Sequence, residues 1–523
     1  MKKILLAVIT ALLIGSCTDA INDLIDELNA GVPICVVQGN TASNPDGRGW
    51  ANAYPSIEAA LTSDRAQDGA EIWVKAGTYT LSTPVTISKS VSIYGGFNGT
   101  EQSRIGRSIN NNLTIINGSD PNFVSIGSSA IGKVILLDCF TLTGYHIDMT
   151  GDGVSGPTMT INNCKFDNIS VTSSVDGGAL RIVEKASLNI SQCSFNNCFA
   201  GSGGVIYVNN GASIIMSNSD LSGNHVGPGY SGGAIYAQND SNIRISNCTF
   251  TNNSAAINGG AIYAISNSIV TISNSYFTGN QTSSGNGGGI YNSSTEELKL
   301  SNCKFNDNRS GNHGGALYSS SSSGKTTISA CTFNGNGTDD GNGGAVCHLT
   351  ITNLSIVNSW FYDNSAGDGG QGGLGGALYV ADGDSHSFVN LAFFGNSAEN
   401  NGAGIYFDAG SHTVYNSVIY NNPDIGAIRY NIYANTATSS LWYCFYDGGL
   451  TGTTIGAGCI NSITSPFVST DENNSYFLYP NETSGVRNSG LSTIPGYTMP
   501  ATDLAGNPRI TGLTVDIGAY EAQ

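Results

Sequence analysis

A short motif, Gly-Gly-Ala-aliphatic-Tyr, returns along this chain at an almost constant interval. It stands complete at Gly232-Gly233-Ala234-Ile235-Tyr236, Gly259-Gly260-Ala261-Ile262-Tyr263 and Gly314-Gly315-Ala316-Leu317-Tyr318. Near-copies start at Gly177, Gly203, Gly287, Gly343, Gly375 and Gly402, and successive starts lie 26, 29, 27, 28, 27, 29, 32 and 27 residues apart. A second motif, Asn-Cys/Ser-x-Phe-x-x-Asn, sits between the copies, as in Asn247-Cys248-Thr249-Phe250 with Asn253 and Asn302-Cys303-Lys304-Phe305 with Asn308. Two motifs locked in phase describe a repeat protein.

The period then limits the fold. Segments such as Ile243-Arg244-Ile245 and Val270-Thr271-Ile272 alternate apolar and polar residues and predict short strands. Gly and Asn clusters between them supply turns with positive φ. A helix-free coil of this length cannot bury its apolar face alone, but stacked copies about 4.8 Å apart can. The expected fold is all-β, a single-stranded parallel β-helix of about 28 residues per coil. Equivalent residues should form ladders. Phe250, Phe277, Phe305 and Phe333 are expected to stack inward. Asn247, Asn274 and Asn302 are expected to bond amide to amide along the axis at one turn, with Asn218, Asn358, Asn390 and Asn416 in the same column.

Cysteine usage agrees with such columns. Cys164, Cys193, Cys248, Cys303 and Cys331 share one position with Ser219, Ser275, Ser359 and Ser417, which marks a small inward slot holding buried free thiols. Cys444 and Cys459 are the more plausible disulfide pair. No C-x-x-C spacing is present, so no structural zinc site is expected, and no cofactor is implied.

The ends read differently. Lys2 and Lys3 precede an apolar run over residues 4–14, and Ile14-Gly15-Ser16-Cys17 resembles a bacterial lipobox. Residues 1–16 are therefore expected to be a signal peptide. Cys17 is the expected lipidation site, and residues 17–40 the tether that holds the chain to the outer membrane. The acidic residues Asp19, Asp23, Asp26 and Glu27 loosely resemble the surface-export signals of Bacteroidota lipoproteins. The solenoid is expected over 41–424, with an entry cap at 41–80 that includes a short helix N-capped by Ser56. Its clear repeats run over about 160–424. Irregular terminal coils and a C-terminal region are expected over 425–523.

The paired motifs over residues 160–424 resemble the repeats of chlamydial polymorphic outer-membrane proteins. That resemblance implies a pectate-lyase-like right-handed β-helix, an outer-membrane or extracellular location and an adhesive role. Here no series of barrel strands follows the repeats. Trp50-Ala51-Asn52-Ala53-Tyr54, the 71–79 stretch and the 91–97 stretch are similar to the entry coils of bacterial surface β-helix proteins. Asp503-Leu504-Ala505-Gly506-Asn507-Pro508-Arg509 and Asp516-Ile517-Gly518-Ala519-Tyr520-Glu521 are similar to the choice-of-anchor Q family, which implies terminal coils and a cap without assigned chemistry.

Charge narrows the function. The net charge is −18 and only 11% of residues are charged. No basic stripe exists to neutralise phosphates, so nucleic acid is not an expected partner. The lyase elements W-x-D-H and R-x-P-x-x-R are absent, as are the N-T-D, G-H-G and R-I-K elements of polygalacturonases. The residues nearest to a catalytic set are His313, Arg309, Asp339 and Asp340. His313 also fits the turn column of Asn258, Asn286, Asn342 and Asn401, and Asp339-Asp340-Gly341 also fits a solvated turn. Asp382-Gly383-Asp384 has too few ligands to define a calcium site. Tyr207, Tyr236, Tyr263, Tyr291, Tyr318, Tyr379 and Tyr406 recur once per coil. Facing outward they would form an aromatic strip for sugar rings or a partner; facing inward they would be core. The leading expectation is a lipid-anchored, non-enzymatic adhesin that binds glycans or host or cell-surface proteins. The alternatives are a polysaccharide lyase or glycoside hydrolase, and a passive surface spacer.

Overall fold

The computed structural model describes residues 31–521 except 82–83, 119–123, 145, 322–323, 350–352, 371, 382, 424–429, 471–478, 482–483, 495–496, 500 and 511–513. The signal peptide, Cys17 and most of the tether lie outside the described residues. The chain forms two compact units, residues 31–170 with 179–196, and residues 171–178 with 197–521.

The first unit opens on the expected cap. The helix Ile57–Thr62 is N-capped by Ser56, whose Oγ accepts the Ala59 N–H at 3.2 Å. Trp73 stacks on Phe97 with ring centres 4.8 Å apart, and Trp50 packs against both. Beyond the cap, parallel strands stack in register. In the first sheet Thr158–Asn162 pairs with Val134–Asp138 on one side and Ser187–Ser191 on the other. In the second, Phe166 lies opposite Phe195 with ring centres 4.7 Å apart.

The second unit repeats one coil with little change, and the coil beginning at Asn242–Ser246 shows how the sequence builds it. Ile243 and Ile245 point inward and Arg244 outward, as strand alternation requires. Asn247 turns the chain at φ 52°, a left-handed conformation that Asn tolerates. Thr249–Thr251 follows with Phe250 inside, and Asn252 turns again at φ 53°. The two-residue strand Ser254–Ala255 and a Gly-Gly turn lead to Ile262–Ile265. Gly259 has φ 64°, and a Cβ on Gly260 would sit 2.1 Å from the carbonyl oxygen of Gly288 in the next coil. Local conformation and close stacking thus each account for one glycine of the motif.

Three kinds of ladder hold the coils together. Phe250, Phe277, Phe305, Phe333 and Phe361 are fully buried and stack at 4.7–4.9 Å, with ring planes within 10° of parallel. The Ser/Cys slot is a hydrogen-bond relay. Ser275 Oγ accepts the Cys248 N–H of the preceding coil at 3.1 Å and donates to Ser273 O at 2.7 Å. A thiol can play both parts, as Cys331 does in donating to Ser329 O at 3.3 Å. This explains the Ser/Cys interchange.

The third ladder is not where the sequence suggested. In the Asn247, Asn274, Asn302 column, Asn302 Nδ2 donates to Asn274 Oδ1 at 2.7 Å, but the column serves mainly as a left-handed turn. The continuous amide ladder runs through the last Asn of the Phe-x-x-Asn motif. Asn224, Asn253, Asn280, Asn308, Asn336, Asn364, Asn396 and Asn422 are linked Nδ2 to Oδ1 at 2.8–2.9 Å. The Nδ2 of Asn308 also donates to Phe277 O at 2.9 Å, and its backbone N–H donates to Asn336 Oδ1 at 3.1 Å. Burial explains the difference. These amides are 0–5% exposed and must satisfy every polar atom within the protein, whereas Asn274 and Asn302 face solvent.

The C-terminal region also departs from expectation. Coils continue to the strand Ile460–Asn461, but beyond it the described residues hold only isolated bridges. The described residues between 464 and 521 lie as a strap on the outer face of the coils. Ile517, Ala519, Val486 and Phe467 cluster with Trp360, Ala392, Val418 and Phe445. Asn416 exchanges two hydrogen bonds with the backbone of Leu491, at 2.7 and 2.9 Å, and Asn358 donates to Thr502 O at 3.0 Å. The motif that suggested a cap is the strap's own core. Arg509 is 1% exposed, among Asp503, Asp516 and Glu521, all equally buried. It donates to Gly518 O at 2.5 Å, and Glu521 Oε2 lies 3.9 Å from its Nε.

Candidate functional site

Three places in the second unit bear on function. The first holds the residues nearest to a catalytic set. Arg309 and Asp339 do meet, with Nε 2.5 Å from Oδ1, and Asp368 joins them at 3.0 Å from Nη1. Asp368 also accepts from Ser365 Oγ at 2.8 Å. Partial burial pulls the Arg309 guanidinium down, but the two carboxylates more than offset it and hold it above its ordinary value. The arrangement ties three successive coils across the surface. His313 does not join it. Its Nδ1 accepts the Asn342 N–H at 3.0 Å, and its own N–H donates to Asn286 Oδ1 at 3.0 Å. The same side-chain-to-backbone relay links Asn258 to Asn286 at 2.9 Å and Asn342 to Leu374 at 3.0 Å. His313 therefore occupies a turn slot and must be neutral to accept there. Burial pushes its imidazole below the ordinary value in the same direction. Asp340 is exposed at the neighbouring turn.

The second place is the tyrosine column. On each strand the neighbours of Tyr point into the solenoid. Ile262 and Ala264 are fully buried on either side of Tyr263, which therefore lies on the outer face. The rings stack on one another: Tyr207 to Tyr236 at 5.3 Å, Tyr236 to Tyr263 at 4.7 Å, Tyr263 to Tyr291 and Tyr291 to Tyr318 at 4.9 Å, and Tyr379 to Tyr406 at 5.4 Å. Cys347 interrupts the series between Tyr318 and Tyr379. Tyr207, Tyr318, Tyr379 and Tyr406 are only 6–8% exposed. Burial pushes the Tyr263 and Tyr318 hydroxyls up to about 12. The ring faces are thus spent on each other, and the column offers edges and hydroxyls. Tyr207 Oη, for instance, accepts from Gln238 Nε2 at 2.7 Å.

The third place was missed in the sequence. A groove of about 480 Å³ opens where the strap meets the outer face of the Phe-bearing sheet. Its floor includes Tyr276, Lys304 and Thr332, which lie side by side on consecutive strands. Leu504, Ala505 and Tyr520 of the strap line it as well. The missing signal was tertiary, since nothing in the repeat says that residues two hundred positions downstream return to this face.

The cysteines supply no further chemistry of the expected kind. Every described cysteine is a free thiol, including Cys444 and Cys459. Instead of pairing, Cys444 Sγ points to Val414 O at 3.3 Å and Cys459 Sγ to Leu441 O at 3.3 Å. A hydrogen bond from Cys444 lowers the Cys459 thiol to about 7. Asp382 lies outside the described residues. Among those described, no three His, Cys, Asp or Glu side chains converge as a metal site.

No curated protein matches this sequence. Among solved structures, the chain is similar to pectate lyase Pel9A, with 15% identity over 94% of this chain and 97% of that one and a TM-score of 0.29. It is similar to the catalytic domain of a GH87 α-1,3-glucanase in complex with nigerose, with 12% identity, 81% and 69% coverage and a TM-score of 0.36. A mannuronic acid-specific polysaccharide family 6 lyase from human gut microbiota shares 12% identity over 77% of this chain and 80% of that one, with a TM-score of 0.29. Scores this low assign no chemistry. The right-handed beta helix region family matches residues 145–390 and again 233–441, together more than half of the chain. With parallel strands stacked in register once per coil, and with that match, the chain belongs to the right-handed beta helix family.

Proposed function

We propose that this protein is a non-enzymatic binding protein of the bacterial cell surface, held to the outer membrane by lipid on Cys17, with glycans or cell-surface proteins as its partners. One observation carries the non-enzymatic reading. The residues nearest to a catalytic set already have structural work. The His313 ring nitrogen that a general base would use accepts a backbone N–H, and Arg309 is held between two carboxylates. The outer face offers extended rows of Tyr, Asn, Ser and Thr at the coil spacing, a surface suited to a long repeating polymer.

The test is retention on immobilised host and plant polysaccharides, with release of unsaturated uronates or reducing ends followed in the same samples. Retention without products is the expected result. Products that disappear in Arg309→Gln or His313→Asn would make the protein an enzyme. The anchor has its own test: Cys17→Ala should abolish incorporation of labelled palmitate and release the protein from membranes.

A further inference from the structure

The outward positions of the Phe-bearing sheet form rows perpendicular to the strands. One row reads Thr249, Tyr276, Lys304, Thr332 and Trp360, each directly opposite the next in the ladder. The adjacent outward row contains Thr278, Asn306, Asn334 and Tyr362. At Trp360 the strap arrives, and the ring of Tyr520 packs edge-on against the indole with centres 4.0 Å apart. The strap therefore ends the row in a wall, and the groove lies between that wall and Tyr276.

The lining differs from the rest of the molecule in two ways. First, it offers aromatic surface not already spent. Tyr276 is 46% exposed, and its ladder neighbours are Thr249 and Lys304 rather than other rings, unlike the members of the tyrosine column. Tyr362 is partly exposed on the opposite side, whereas the Tyr520 ring is stacked on Tyr479 with centres 4.6 Å apart and serves as the wall. Second, its charge is reversed. The chain carries a net −18, yet among the described residues Lys304 is the one charged residue lining the groove, and no acidic side chain does. Lys304 Nζ sits 5.6 Å from the Tyr276 ring centre and makes no ion pair among the described residues.

We propose that this groove binds an anionic glycan, a sugar chain bearing carboxylate or sulfate groups; the proposal rests on the binding reading above and gives it a site. Sugar rings would lay their C–H faces on Tyr276 and Tyr362, with Tyr520 closing the end of the groove. Asn306 and Thr332 would hydrogen-bond hydroxyls, and the Lys304 ammonium would meet the anionic group as a point charge. The rows repeat about every 4.8 Å along the floor, so a chain lying along the solenoid axis meets one set of contacts per coil.

Calorimetric titration of the full-length protein with an oligogalacturonate, a heparin-derived oligosaccharide and a neutral xylo-oligosaccharide tests this. Wild type should bind one of the two anionic probes and bind the neutral one at least about tenfold more weakly. Which anionic probe binds separates carboxylate from sulfate recognition. Lys304→Glu and Tyr276→Ala should each weaken binding about tenfold or more, while Lys304→Arg stays within about threefold. Lys325→Glu, on a different sheet, should bind as wild type does. Both substituted side chains point to solvent, and unchanged thermal unfolding would show that the variants are folded. If wild type binds a glycan and Lys304→Glu binds it equally well, the groove is wrong and the general binding reading survives. If wild type retains no glycan at all, the groove proposal and the glycan part of the binding reading fall together, and a protein partner is left.

Discussion

Two stretches of one column differ on the outside while remaining the same within. The residue just before each inward aromatic or aliphatic side chain points outward. Over the earlier coils of the second unit it is Asp220, Thr249, Tyr276, Lys304 and Thr332, and over the next four it is Trp360, Ala392, Val418 and Phe445. The inward partners Phe250, Phe277, Phe305, Phe333, Phe361, Phe393 and Ile419 are all fully buried. The change from polar to apolar coincides with the strap. An outward apolar row in water would be a liability, and a covered one is a second core. In a solenoid the repeat determines the inside, and what lies on the coil determines the outside.

The largest effects should therefore be blind to the strap. Phe277→Ala in the bare stretch and Phe361→Ala in the covered one should each cost about 3–5 kcal/mol, because each empties the same stacked column. Urea unfolding with hydrogen exchange measures both. A cost below about 1 kcal/mol at either position would contradict the inward stack there. Arg509→Ala should cost about as much, 3–5 kcal/mol, but only in the strap, because it leaves three buried carboxylates without their cation. Exchange should rise at Ile517 and Ala519 while the amides of Phe277 and Phe305 stay protected. Equal loss in both places would mean that the strap and bare coils unfold as one unit.

How much of this was legible follows the same division. The period, the strands and the inward Phe column were readable because each is repeated many times and physics allows one solution for an apolar face that cannot be buried alone. The amide ladder was assigned to Asn247, Asn274 and Asn302 instead of Asn253, Asn280 and Asn308. Both columns are equally periodic, and in the bare coils only burial separates them. The tyrosines could not be oriented because alternation allows either the Ala and Tyr of the motif or the aliphatic residue between them to point inward. The strap left a signal that periodicity discards: the row Thr332, Trp360, Ala392, Val418 breaks the polar pattern. The groove, made by that strap, was beyond any reading of the repeat. The spacing put Arg309 one coil from Asp339, which it meets, but the second carboxylate on Arg309, Asp368, was not foreseen.

Trp360→Thr is a smaller test of the boundary, since it gives a covered coil the residue of its bare neighbour. It removes the indole that packs on Tyr520, and the loss of buried apolar surface should cost about 1.5–3 kcal/mol, again confined to the strap. The interior should not respond, because Phe361 keeps its neighbours Phe333 and Phe393. Strap exchange unchanged from wild type would mean that the hydrogen bonds from Asn358 and Asn416, not the apolar row, hold the strap in place.

The smallest effect concerns a turn in the bare stretch and depends on pH. His313 stands where the neighbouring coils have Asn286 and Asn342, and its Nδ1 accepts a backbone N–H only while the ring is neutral. Burial lowers its folded value below the ordinary 6.5. Between the lowered value and 6.5 the unfolded chain binds more protons than the folded one. The stability that His313 contributes is therefore fully present above 6.5 and is lost as pH falls through that window. His313→Asn keeps the acceptor and removes the titration. At about pH 8 the variant should match wild type, and at about pH 5 it should be the more stable by up to about 1 kcal/mol. Identical pH slopes for the two proteins would mean that the imidazole leaves its turn slot on protonation without cost, and that the coil tolerates an unfilled acceptor position there.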